Sequence, residues 1–254
     1  MFVGKNLITL KKVDSTNNYA KLLAANSGPL PDGTVILAEA QHGGRGQSGN
    51  SWVSEPGKNL TFSILFDCSF LRPPDQFFLS MAISLGLIDG LNPILGGNSA
   101  IKWPNDILLS TRERKLGGIL IENLLAGNVI KTSVVGIGIN VNQEIFPGLP
   151  DATSLRREKN TVFPLDALLT HLCQTVEARF LQLKGGARQA LKEDYLRHLL
   201  GYGRKRLYYS GPAAEQMQET SFEGIITGVT HEGKLLIETE GVIRAFNKKE
   251  VSIK

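Results

Sequence analysis

The sequence predicts an α/β chain, a mixed β-sheet with packed helices followed by a small β-barrel. Three observations carry this expectation. Apolar and β-branched runs alternate with helically spaced segments over the first 200 residues. The hydrophobic content of 42% is enough for a packed core. After Leu200 the composition changes to short strand-like runs separated by turn residues such as His231-Glu232-Gly233. The expected units are therefore residues 1–200 and 201–254.

Asp14-Ser15-Thr16-Asn17 ahead of Tyr19, Ala20, Leu22, Leu23 and Ala24 combines N-cap chemistry with a helical apolar face. Thr34 to Ala40 reads as a strand entering a glycine-rich loop, and Leu60 to Phe66 as the strand leaving it. Asp75 to Leu91 has helical spacing, as do Phe163 to Leu183 and Ala187 to Leu200. Between them Ile101 to Trp103, Ile107 to Ser110, Leu116 to Asn123 and Val129 to Val141 read as strands. Gly117-Gly118 and Gly136-Ile-Gly138 leave room there for close backbone approach. In the tail, Lys205 to Tyr209, Phe222 to Val229, Leu235 to Glu238, Val242 to Phe246 and Val251 to Ile253 are short strands.

Composition narrows the function classes. Cys68 and Cys173 lie far apart, without a CxxC or Cys/His cluster, so neither a disulfide framework nor a zinc site is expected. A reducing cytoplasm is the natural compartment. Met1 to Lys12 has no signal-peptide apolar region, and Phe77 to Leu91 is interrupted by Ser80, Ser84 and Asp89, so no membrane segment is expected. The net charge of +4 is dispersed except around Arg204-Lys205-Arg206 and Lys248-Lys249. Residues 1 to 13 are too few for a helix-turn-helix, so a transcriptional role would need another DNA-binding element, and no DNA partner is expected.

The chemistry concentrates in two segments. Gly44-Arg45-Gly46-Gln47-Ser48-Gly49-Asn50-Ser51-Trp52 approaches a P-loop but has Asn50 where that motif needs Lys, and a strand rather than a helix follows. Gly136-Ile-Gly138 lacks the third glycine of a dinucleotide fingerprint. The alternative for the loop is a mobile surface hairpin. The second segment is Lys102-Trp103-Pro104-Asn105-Asp106, followed by Lys115. Lys and Asp among apolar strands are costly unless paired or functional, and a structural Lys102–Asp106 salt bridge is the competing account. His42 reads as a solvated loop histidine, since no nucleophile motif accompanies it.

Taken together, GRGQSGNSW at Gly44 to Trp52, KWPND at Lys102 to Asp106, KLGGIL at Lys115 to Leu120 and GIGIN at Gly136 to Asn140 resemble the biotin protein ligases. Ser15 to Asn17, Gln41 and the small terminal barrel match as well. The resemblance implies a class II aminoacyl-tRNA-synthetase-like catalytic fold, shared with lipoate ligases, and an SH3-like C-terminal domain. It implies two reactions: biotin and ATP, with Mg²⁺, give biotinyl-5′-adenylate and pyrophosphate, and a lysine of a biotin carboxyl carrier protein or domain of a carboxylase, such as acetyl-CoA carboxylase, takes the biotinyl group. The oligomer is left open between monomer and homodimer.

The same resemblance implies residue roles. Lys115, Arg45 and Asp106 are the catalytic candidates: cations offset the repulsion between a carboxylate and a polyphosphate, and a carboxylate helps the carrier lysine attack as a neutral amine. Biotin is expected against Ser15, Thr16, Asn17, Gln41, Gly44, Arg45, Lys115, Gly117, Gly118 and Gly136. The nucleotide is expected against Arg45, Gly46, Gln47, Trp52, Lys102, Asn105, Lys115 and Asn140. Ser15 and Thr16 are equally good helix caps. Metal ligands are not legible. Gln47 and Ser48 stand where some relatives carry basic residues, so retention of the adenylate is expected to differ. The rival readings are a lipoate or octanoate ligase or transferase, and a non-enzymatic nucleic-acid or protein-binding module.

Overall fold

The computed structural model describes residues 1–26, 30–210 and 220–253. Seven strands form the first sheet: β1 (Leu7–Leu10), β2 (Thr34–Ala38), β3 (Leu60–Asp67), β4 (Ser99–Lys102), β5 (Asp106–Leu109), β6 (Arg114–Ala126) and β7 (Val129–Ile139). Their order is β1-β2-β3-β7-β6-β5-β4. β1 and β2 are parallel and the other pairs antiparallel, so the sheet is mixed, as expected. The second sheet has the order β11-β10-β9-β8-β12, built from β8 (Lys205–Ser210), β9 (Thr220–Val229), β10 (Leu235–Thr239), β11 (Val242–Phe246) and β12 (Val251–Ile253).

Strand alternation divides the first sheet into two faces. Leu60, Phe62, Ile64 and Phe66 of β3 join the main core. That core is covered by α2 (Phe77–Leu95), α4 (Leu165–Lys184) and α5 (Arg188–His198). With the preceding turn, α2 is long and apolar enough to span a membrane, but 72% of its apolar 18-residue window is buried inside the protein. An all-round apolar helix is what a position between a sheet and two other helices requires. On the opposite face α1 (Thr16–Asn26) lays Ala20 against Ile36, Leu65 and Val134.

Two elements were not anticipated: β1, and the short α3 (Leu155–Lys159), whose Arg157 N–H bonds Ser154 Oγ at 3.2 Å. α2 also runs past Leu91, through Pro93, to end at Gly96 with φ 67°. The two sheets share a core, since Tyr208, Ile226 and Ile237 join the same cluster as Phe77 and Tyr195. Their joint is specific. Trp103 Nε1–H donates to Gly233 O at 2.9 Å, and the Gly233 α-carbon packs so closely on Phe77 that a Cβ would lie 2.4 Å from the ring. Beside it, buried Asp75 faces Arg72, Arg188 and His231 at 3.2, 3.4 and 2.7 Å. Glu113, in the β5–β6 turn, takes two 2.8 Å bonds from Arg206.

Candidate active site

The floor of the site is the α1 face of the sheet. Register pairs Thr61 with Gly138 and Gly138 with Gly118, and pairs Ser63 with Gly136 and Gly136 with Leu120. Three glycines thus meet on one face of two adjacent strands, β6 and β7, where the sheet presents backbone instead of side chains. Neighbours use that space. A Cβ on Gly136 would lie 2.3 Å from Asn17 Oδ1, and one on Gly138 would lie 2.4 Å from the Trp52 ring. An open cleft lies above, lined by Thr61, Gly118, Gly136 and Gly138 along its floor.

One end wall is α1. Thr16 N–H donates to Gln41 Oε1 at 2.8 Å, so the acceptor for the first turn comes from the loop. Ser63 Oγ lies 2.7 Å from both Thr16 Oγ1 and Asn17 Oδ1, and its single proton serves one of them. Asn17 Nδ2 donates to Leu120 O and Glu122 Oε2. Ser15, Thr16 and Asn17 are all buried yet border the cleft.

The glycine loop closes the top. Gly46 N–H bonds Asn50 O at 2.6 Å and Trp52 N–H bonds Gly44 O at 2.9 Å, around a 3₁₀ turn at Gln47–Gly49. No α-helix follows before β3, which removes the P-loop reading. A Cβ on Gly44 would fall 2.2 Å from Trp52 O, so only glycine permits this closure. His42 is exposed, as expected; the side chain of Ser48 lies outside the described residues. Arg45 does not reach Lys115. It forms an ion pair with Glu122, which also accepts from Lys21 at 2.7 Å. Burial disfavours the Glu122 charge, but hydrogen bonds from Arg45, Lys21 and Asn17 outweigh it and lower its pKa to about 2.

The opposite end is the β4–β5–β6 hairpin. Lys102 and Asp106 are cross-strand partners, but Asp106 Oδ1 pairs with Lys115 Nζ at 2.7 Å, so the Lys102–Asp106 bridge is not the one made. A register shift explains how Lys115 arrives there. Asp106 opposes Gly118 while Leu108 opposes Lys115, so one extra residue sits on β6 between them. Without that bulge, Lys115 and Gly118 would point to opposite faces; with it, both share the cleft face with Asp106. Asn105 Nδ2–H donates to Ile119 O at 2.8 Å and pins the turn. The Lys115 main chain is held from outside the sheet, by Asp151 O at 2.6 Å and Thr153 N–H at 2.8 Å.

A second open cleft adjoins the first and shares Ser51, Trp52 and Lys115 with it. Asn140 borders this second space, its Nδ2–H donating to Thr153 O at 3.0 Å. Lys102, Gly44 and Gly117 border neither. A Cβ on Gly117 would strike Gly138 O, so its contribution is strand packing. The other proposed residues are brought together around the two clefts. Glu122 and Ser63 were missed, and Trp103, though part of a motif, was given no role; nothing in the local pattern of an apolar strand marks Glu122. Burial pushes the Cys68 and Cys173 thiols up to about 12, so neither is a nucleophile. Among the described residues no three His, Cys, Asp or Glu side chains cluster as a metal site.

This fold and site define a small-molecule-activating α/β enzyme in which two clefts meet at one lysine. A model of the Biotin/lipoate A/B protein ligase family matches residues 9–140. The chain belongs to that family. It is 30% identical over 252 residues to the bifunctional ligase/repressor BirA of Bacillus subtilis, covering 96% of this chain and 73% of that one. It is 30% identical over 241 residues to the biotin--[acetyl-CoA-carboxylase] ligase of Mycobacterium tuberculosis, covering 93% and 85%. The biotin protein ligase from Aquifex aeolicus, solved in complex with biotin and ATP, superimposes with a TM-score of 0.78 at 28% identity, over 98% of this chain and 99% of that one.

Proposed function

We infer that this chain is a biotin protein ligase, which activates biotin with ATP and passes it to a lysine of a carrier protein. The observation that carries this reading is the meeting of two clefts at Lys115. The glycine-floored cleft suits a flat, neutral bicyclic head, with the amides and hydroxyls of Ser15, Thr16, Asn17 and Gln41 at its end for the ureido group. The second cleft, bordered by Trp52 and Asn140, takes the nucleotide, with Gly46, Gln47 and Asn105 contributing from the first.

In the first step a biotin carboxylate oxygen attacks the α-phosphorus, and the bond to the β-phosphate oxygen breaks, releasing pyrophosphate. An anion must approach a polyanion, so a fixed cation at the meeting point is worth most in the transition state. Lys115 has that place. Its ammonium turns from Asp106 to the carboxylate and α-phosphate oxygens, and Arg45 joins from the loop. Mg²⁺ on the ATP phosphates would offset part of their charge beside Lys115 and Arg45. In the second step a neutral carrier amine attacks the acyl carbon, AMP leaves, and Asp106, released from Lys115, takes the amine proton. Residues 1–200 act as the catalytic unit and 201–254 as an SH3-like unit that braces it through Trp103. The carrier is a biotin carboxyl carrier protein or domain, met in the cytoplasm.

The test is pyrophosphate release with biotin or lipoate as acyl substrate, followed by labelling of an apo carrier domain. Release with biotin and transfer to the carrier are expected. Release with lipoate alone would reassign the acyl group.

A further inference from the structure

Arg45 is the only Lys or Arg between Gly43 and Trp52, yet its guanidinium lies at the wrong end of the cleft for phosphate chemistry. Glu122 stands four residues beyond Gly118 on the same strand face, roughly 13 Å further at about 3.3 Å per residue. Resting on the biotin- and ATP-binding reading above, we propose that Glu122 is a positioning residue: it holds Arg45 away from Lys115 until a phosphate of ATP takes the guanidinium, so that carboxylate and nucleotide compete for one cation.

Three features support the exchange. Glu122 keeps Lys21 and Asn17 as donors after Arg45 departs, so no unpaired, half-buried charge is left behind, which is the step that usually makes breaking such pairs expensive. Arg45 belongs to a loop whose main-chain bonds close mostly on itself, Gly46 to Asn50 and Trp52 to Gly44, so it shifts without unzipping a strand. The Arg45 side chain is 40% exposed and Glu122 24%, so the mobile partner is the one already facing solvent. At the other end of the cleft a carboxylate, Asp106, also pairs with a cation, but there the main chain of Lys115 is fixed in the sheet.

Glu122→Gln tests this, because the amide oxygen still accepts from Lys21 or Asn17 while the charge that retains Arg45 is gone. With saturating biotin, the KM for ATP in adenylate formation is expected to fall about threefold to tenfold, a quantity independent of how much protein is folded. The fall should vanish when Glu122→Gln is compared within an Arg45→Ala background. Lys21→Met, which removes a different partner of Glu122 and leaves Arg45 paired, should not lower the KM. An unchanged or raised KM for Glu122→Gln, a fall that persists without Arg45, or an equal fall with Lys21→Met would each overturn the proposal. Absence of biotin-dependent pyrophosphate release by the unaltered protein would instead remove the functional reading beneath it.

Discussion

The β4–β5–β6 hairpin and the glycine loop each bring a cation to the cleft, and they hold it by different means. Lys115 is set by strand register, by the bulge after it and by main-chain bonds to Asp151 and Thr153. Arg45 is set by one side-chain ion pair, on a loop folded back on itself. A cation built into a sheet costs little reorganisation when charge develops beside it. A cation on a loop can change partners, and it can close the site against water that would hydrolyse a mixed anhydride. Division of labour between a fixed and a movable charge is what the contrast teaches.

The largest expected break in this comparison comes from the fixed side. Lys115→Ala should lower adenylate formation by about 10²–10³-fold, the usual loss when one preorganised charge partner is removed. Pyrophosphate release measures it, and a near-unaltered rate would strip Lys115 of the central role. Next is its carboxylate partner. Asp106→Asn should slow transfer from preformed adenylate by about 10² while slowing adenylate formation less, in line with general-base contributions. Single-turnover transfer assays would reject the assignment if that order were reversed. The smallest effect belongs to the movable side. Proteolytic nicking between Gly43 and Trp52 should fall severalfold when biotin and ATP are both bound, and unchanged cleavage would mean that the loop does not close.

Most of the strands and both long core helices were legible because alternation and helical spacing are local signals. β1 was not: Leu7 to Leu10 is four residues long and its pairing is parallel to a distant strand. The site shows the same divide. Lys115, Asp106 and the glycines announce themselves through motif spacing. The bulge that turns Lys115 toward Asp106 was signalled only indirectly, by Gly117-Gly118 inside a strand run. Glu122 was invisible because its meaning comes from Arg45, Lys21 and Asn17, none near it in sequence. Trp103 reads as part of a motif, but its indole N–H is satisfied 130 residues away, at Gly233. Composition could not reveal that the second sheet holds the Trp-Pro-Asn turn in place.

The packing of Trp52 on Gly138 ties the evolution of two segments together. The Trp52 indole occupies the volume that any side chain at position 138 would need, so a lineage that enlarges residue 138 must first shrink or redirect residue 52. Across a deep family alignment these positions should therefore behave as a single inherited character, exchanged as a pair or not at all, although one lies on a loop and the other in the middle of a sheet.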